Sequence, residues 1–278
     1  MWRALAPVTR KESNVSMSWN SVEATIRSIA PAIDVHCSVI APGGERWQHR
    51  GDVPIASAST AKIPIMIAIY RMLDQGTVHL SDRHTMVKQE HAGGSGILRH
   101  LHVGLTLTLA DLLYLMMSIS DNSATNILIK LAGMDNINAT MRAVGMYNSI
   151  LARPMVGRLA VDGEQENMAT SNDYVHLLDA LCKHQLASAD ACKAMLTLLG
   201  QQHNANRIGR HVKGKAGFEW GAKSGTNAGL VNEAGYVRGP DGTMIIAVYC
   251  QGVSSEIEGE QIIADMCKAA MLGMGWSV

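Results

Sequence analysis

The sequence predicts an α+β protein, with an antiparallel five-stranded sheet flanked by helices and an all-helical lobe beside it. Three observations predict this. A short helix and two strand-like runs open the chain. A long stretch follows that carries only helical patterns. Three strand-like runs and a final helix close it. The first and last parts can then complete one sheet, while the middle forms its own layer.

Taken in order, residues 1–18 read as a loose N-terminal arm. Residues 20–29 are amphipathic, with Val22, Ile26 and Ile29 on one side. Residues 34–41 read as a strand, Pro42-Gly43-Gly44 as a turn and residues 45–49 as its hairpin partner. An apolar helical run starts beside Ser59 and is stopped by Gly76. Residues 77–91 connect, Gly93-Gly94-Ser95-Gly96 reads as a flexible loop, and residues 97–101 add one turn. Thr108 and Asp111 form a capping-box pair that opens a helix over 109–118. Further helices are expected over 123–132 and 135–143, closed by Gly133 and Gly145. Residues 153–167 are irregular, and helices follow over 172–183 and 189–199. Strands over 223–226, 231–237 and 244–251 are separated by Asn227-Ala228-Gly229 and Gly239-Pro240-Asp241-Gly242, and a helix over 256–272 ends the pattern. The expected division is an α/β lobe of 19–57 with 205–278 and a helical lobe of 58–204. A cleft between them is the natural place for a site.

Composition narrows the function. The 278 residues include 47% hydrophobic and 17% charged side chains, a globular balance. Net charge is zero, which argues against nucleic acid as the main partner. The 17 Met and single Phe leave the core to Met and aliphatic side chains. Five cysteines with no close-set pair indicate neither a disulfide framework nor zinc, and the 11 histidines show no metal spacing, so no metal or cofactor is expected. No apolar run is long enough to span a membrane. Residues 1–17 lack a signal pattern, so the chain as written is expected in the cytoplasm, or outside it if a signal has been removed. A monomer acting on a small molecule is expected.

Ser59-Thr60-Ala61-Lys62 carries the chemistry. Positions i and i+3 of a helix share a face, so the Ser59 hydroxyl and the Lys62 amine can meet. Serine needs a base to act as a nucleophile, and lysine can be that base only where its surroundings lower its pKa. Equally, Ser and Thr cap helices and Lys often keeps its head in water. Two further motifs fall at element ends. Ser120-Asp121-Asn122 offers a hydroxyl and an amide in the break between two helices, though Asn122 could simply cap the second of them. Lys223-Ser224-Gly225-Thr226 opens a strand, with a fixed positive charge, a hydroxyl, a close backbone approach for a ligand, and a backbone N–H that can pair with that of Ser59 as an oxyanion hole. Lys223 could also be a solvated strand end.

S-x-x-K, S-D-N and K-[ST]-G in this order resemble class A β-lactamases and penicillin-binding proteins, the penicillin-recognising serine hydrolases. Gly94-Ser95-Gly96-Ile97-Leu98, Leu107-Thr108-Leu109-Ala110-Asp111-Leu112 and the residues from Ser120 to Asn126 are similar to the helical lobe of that fold. The resemblance spans about 33–272 and implies its α/β/α, β-lactamase/transpeptidase-like architecture. It implies that Ser59 is acylated by a β-lactam, or by a related amide or ester. Lys62 would take the Ser59 proton, directly or through a water. Ser120 would pass a proton to the leaving nitrogen, and Lys223 would support Ser120 and draw in an anionic substrate. Asn122 would hold the substrate's amide, while Ser224 and Thr226 would bind its carboxylate and carbonyl oxygen.

The residue that activates the deacylating water is less clearly marked. Class A enzymes carry a Glu followed four residues later by Asn. Here Glu166 directly precedes Asn167, and Glu164 stands three residues before it. The stretch from Glu166 to Ser171 resembles a less-characterised branch of the same fold. Glu166 is the preferred base. A solvated loop acid near a helix N-terminus is the competing reading, with Glu164 next in line. With a placed base the chain hydrolyses β-lactams. Without one it is a D-Ala-type peptidase, an esterase, or a sensor that releases its adduct slowly.

Overall fold

The computed structural model describes residues 17–278, so the expected arm over 1–18 lies outside the described residues but for its last two. Helix α1 (Asn20–Ser28) leads to strands β1 (Asp34–Ile40) and β2 (Arg46–His49), then the two-residue strand β3 (Ile55–Ala56). A 3-10 turn (Ala58–Ala61) runs into α2 (Lys62–Asp74). Strands β4 (Arg83–Thr85) and β5 (Thr106–Thr108) bracket the glycine-rich loop. Helices α3 (Leu109–Ser118), α4 (Asn122–Ala132) and α5 (Met134–Ala143) follow. After an irregular stretch come β6 (Met168–Ala169), α6 (Ser171–Cys182) and α7 (Ala189–Gly200). The chain closes with β7 (Glu219–Asn227), β8 (Leu230–Gly239), β9 (Gly242–Gln251) and α8 (Glu256–Gly273).

The expected five-stranded antiparallel sheet forms, in the order β2-β1-β9-β8-β7. The β1–β9 pairing joins the first two strands to the last three, so β7 ends as a free edge. One sheet face packs under α1 and α8, through Val22, Ile263 and Met271 against Val39, Ile246 and Val248. The other face carries Tyr249, Ala247 and Ala234 into a core continuous with the helical lobe. Helix α2 is buried from Lys62 to Tyr70, which suits a helix apolar all round. Pro64 sits in its first turn, where no intrahelical partner for its N–H is needed.

Local signals set most boundaries. Thr108 Oγ1 accepts from Asp111 N at 3.1 Å and Asp111 Oδ2 from Thr108 N at 2.8 Å, the expected capping box of α3. Helix α4 begins one residue earlier than expected because Asp121 is its cap, accepting from Ala124 N at 3.0 Å. The expected strand over 223–226 grows to nine residues because β8 pairs with it along its whole length. The pairs β3–β6 and β4–β5 are too short to carry a pattern of their own.

Candidate active site

Ser59 lies in the 3-10 turn just before α2, half-exposed between buried Ser57 and Thr60. The turn holds Ala58 at φ 46°, a left-handed backbone that costs a non-glycine residue about 1–3 kcal/mol. Its surroundings impose that conformation. Ser57 N donates to Asn167 O at 2.8 Å, Asn232 Nδ2 to Ala56 O at 2.9 Å, and Thr60 Oγ1 to Ser57 O at 2.7 Å. The result aims Ser59 outward at the N-terminus of a buried helix.

Lys62 is fully buried. Its Nζ meets Ser120 O at 2.7 Å, Ser120 Oγ at 2.9 Å and Asn122 Oδ1 at 2.8 Å. Burial, and then the nearby Lys223 charge, lower its pKa well below the usual lysine value. Ser120 itself stands at φ 60° in the break between α3 and α4, so it too is held in a left-handed conformation. Asn122 does not cap α4. Its Oδ1 faces Lys62, and its Nδ2 donates to Gly93 O at 2.8 Å, leaving one amide hydrogen for a ligand. The expected flexible loop is pinned by the same segment. Asp121 Oδ2 accepts from Ile97 N at 2.7 Å and Leu98 N at 2.8 Å, and Asn122 N donates to Ser95 O at 3.0 Å.

Strand β7 presents the third motif. A Cβ on Gly225 would stand 2.9 Å from Ser59 N and 3.0 Å from Ala58 Cβ. Glycine here lets the strand reach the Ser59 turn itself. Ser224 N donates to Gln202 Oε1 at 2.6 Å, away from β8. Residues two apart on a strand point the same way, so the Thr226 N–H also faces outward from the free edge. That places one edge donor beside the Ser59 backbone. Lys223 Nζ donates to Ser224 O at 2.9 Å and not to Ser120. Its positive charge is not the fixed one expected: burial first, and then the Arg207 charge, bring its pKa down to about 7, against a smaller opposing pull from Glu233.

Glu166 faces the same groove but is heavily occupied. Arg153 reaches it through Nε at 3.2 Å and Nη2 at 2.8 Å; Ala160 N donates at 2.6 Å and Asn167 N at 2.8 Å. Glu164 lies outside the groove. Hydrogen bonds from Arg158 and Val161 N lower its pKa to about 2. Asn167 is buried and fastens the loop, with Oδ1 accepting from Ala152 N at 2.7 Å and Arg153 N at 2.9 Å.

Two cavities meet at Ser59, Ser95 and Thr226. The smaller, about 70 Å³, is lined also by Asn122, Met155, Glu166 and Asn167, and has room for a few waters. The larger, about 490 Å³, opens over Ser120, Lys223 and Ser224. Hollows of about 450 and 690 Å³ elsewhere contain none of the candidate catalytic or substrate-binding residues, so size alone does not mark the site. Among the described residues no three His, Cys, Asp or Glu side chains gather to hold a metal, and no helix is long and apolar enough to cross a membrane. Sequence reasoning missed Gln202, Arg207, Asn232 and Glu233. An acid inside the apolar run from Leu230 to Val237 was the one available signal.

Comparison with known proteins places the chain in a family. A structure of a β-lactamase from Sphaerobacter thermophilus is 43% identical with a TM-score of 0.91, covering 93% of this chain and 98% of that one. The structure of PBP-A shares the fold at 21% identity and a TM-score of 0.83, covering 92% and 96%. A Rhodobacter capsulatus β-lactamase is 34% identical over 111 residues, a match spanning 40% of this chain and 38% of that protein. The family model described as the β-lactamase enzyme family matches residues 22–272, nearly the whole of the described chain, and the protein belongs to that family.

Proposed function

We propose that this chain is a serine acyl-hydrolase that opens a β-lactam amide through a Ser59 acyl-enzyme, with release of the acyl group as its slow step. The observation that carries this reading is the dehydrated Lys62 amine, locked on Ser120 and Asn122 at the base of a groove that exposes Ser59. A neutral Lys62 takes the Ser59 proton, directly or through a water, as Oγ bonds to the carbonyl carbon. The backbone N–H groups of Ser59 and Thr226 hold the oxyanion. When the C–N bond breaks, the proton passes from Lys62 through Ser120 to the nitrogen. Ser224, Thr226 and the Lys223 cation hold the substrate's carboxylate, and the remaining Asn122 amide hydrogen holds its side-chain carbonyl. In the second half, a water attacks the acyl carbon, the ester bond breaks and Ser59 regains its proton.

The lobe division 19–57 with 205–278 against 58–204 puts this groove at the seam. Ser59, Ser120 and Asn122 come from one side, and residues 223–226 from the other. Intact-mass measurement with benzylpenicillin tests the reading. Wild type should gain the mass of the drug and Ser59→Ala should not; an unmodified wild type at saturating drug removes the proposal.

One observation favours a second reading. Both Glu166 oxygens are occupied, so water reaches that carboxylate only by displacing a donor. A D-Ala-type peptidase, an esterase or a penicillin-binding sensor fits a long-lived adduct equally well. The lifetime of the adduct, followed by mass after removal of free drug, separates these from a fast hydrolase.

A further inference from the structure

Strand β7 is an open edge where it meets the groove, yet one of its outward groups is closed by a side chain from outside the sheet. Gln202 Oε1 accepts from Ser224 N at 2.6 Å, while Gln202 Nε2 donates to Glu233 Oε1 at 2.8 Å and Asn204 O at 3.1 Å. The other Glu233 oxygen accepts from Ile208 N at 2.7 Å. Glu233 is fully buried and Gln202 is 5% exposed, so each of these groups has given up water. Glu233 sits directly across from Ser224 in the β7–β8 register.

Two cations are buried beside this acid, Arg207 and Lys223. Arg207 has its own acids, with Nη2 at 2.8 Å from Glu256 and Nε at 3.4 Å from Glu260, both on α8. It spends its remaining donors on Gly225 O, Asn232 O and Thr226 Oγ1. Burial raises the Glu233 pKa, and against it act the Arg207 charge first and then, more weakly, that of Lys223, one strand away. The other charged groups around Lys223 are Lys62 with Asp121 behind it in the helical lobe, and His203 across the larger cavity. Both Glu233 oxygens only accept hydrogen bonds here, which suits a carboxylate. A buried acid is a poor device for stability alone, since an apolar side chain of similar size commonly serves as well or better.

We propose that Glu233 and Gln202 form a positioning pair for the substrate strand: Gln202 sets the β7 edge at Ser224, and the Glu233 carboxylate balances the Lys223 ammonium. Closing the edge at Ser224 leaves Thr226 as the next outward N–H, so an incoming acyl carbonyl meets a donor whose place is fixed. Balancing Lys223 keeps it cationic when an anionic substrate arrives. The pair deepens the acyl-hydrolase reading and rests on it for its catalytic consequence.

The test compares Gln202→Met and Glu233→Gln by two readouts. Hydrogen exchange over residues 223–227 needs no catalysis and should be about tenfold faster in Gln202→Met, which loses one backbone bond. The rate of acylation by benzylpenicillin against pH should fall on its basic side as Lys223 loses its proton. Glu233→Gln removes an attraction for that proton, so this limb moves down by about one pH unit. Gln202→Met keeps the charge, so acylation falls about tenfold with the limb in place. Unchanged exchange in Gln202→Met, or the same pH profile in both variants, overturns the proposal. Should Glu233→Gln not fold, Glu233→Met removes the same charge and must move the limb down in the same way; an unmoved limb overturns the charge role. A wild type that takes no acyl mass would instead sink the hydrolase reading, and exchange would still judge the pair.

Discussion

At the scale of single residues, the contacts of Glu166 separate two roles, a base for the deacylating water and a fastener of the loop. Four N–H donors converge on its two oxygens, two of them from the Arg153 guanidinium. A general base must take a proton from water, and each donor here competes with that water for a lone pair. The same contacts tie residues 153–167 into one closed loop on the wall of the smaller cavity. The geometry therefore favours Glu166 as a fastener over Glu166 as the base. Glu166→Gln keeps one acceptor oxygen and turns the other into a donor facing donors. We expect a loss of about 2 kcal/mol in stability for this partly exposed pair, read as a lower Tm, with the adduct lifetime within about threefold of wild type. A base role predicts the reverse: a lifetime longer by about a hundredfold or more, with stability nearly unchanged.

At the scale of elements, Asp121 does more than its neighbours in the Ser120-Asp121-Asn122 motif suggested. One oxygen caps α4, and the other takes the N–H groups of Ile97 and Leu98. Gly96, at φ 108°, has no room for a Cβ against the Asp121 side chain, so glycine there serves close approach and not mobility. Asp121→Ala should cost about 3 kcal/mol, from one lost cap and two N–H groups left without partners, that of Leu98 buried and that of Ile97 partly so. Hydrogen exchange over residues 93–98 should rise in step, and if that loop stays protected the pinning role is wrong. The contrast shows what sequence carries at this scale. The capping box of α3 and the stops at Gly76, Gly133 and Gly145 are local chemistry, written within four or five residues, and they were legible. So were the three motifs, although only the first two stand at element ends and the third lies inside β7. The Arg153–Glu166 clamp, the β3–β6 bridge and the seat of Gln202 on Glu233 join residues far apart or in irregular chain. No periodicity marks them. Lys223 could be singled out from its motif, but its lowered pKa could not, since that comes from burial and then from Arg207, neither of which the strand itself reveals.

At the scale of the whole molecule, the site is built at the expense of stability. The fold encloses Lys62, Lys223 and Arg207 between two large apolar cores, and two of these cations are amines that burial disfavours in their charged form. A fall in the Lys223 pKa from 10.5 to about 7 sets an upper bound of about 5 kcal/mol on what its protonated form costs the folded state. Between those two values the unfolded chain binds more protons than the folded one. The contribution of Lys223 to stability therefore rises with pH through that window, and its full cost is felt below it. Lys62, also lowered, acts with the same sign, while the raised Glu233 works in the opposite sense above its ordinary range. Lys223→Met removes the buried charge and keeps most of the volume, at the loss of the bond to Ser224 O. A net gain of about 1–2 kcal/mol at pH 7 is expected, or roughly 2–4 °C in Tm, together with a large loss of acylation. Calorimetry at pH 6, 7.5 and 9 checks both the size and the sign. The gain over wild type must shrink as pH rises, because the cost of shedding the Lys223 proton on folding falls steadily toward the unfolded pKa. A lower Tm for the variant at pH 6, or a difference that does not change with pH, would mean that the fold is not strained by this charge.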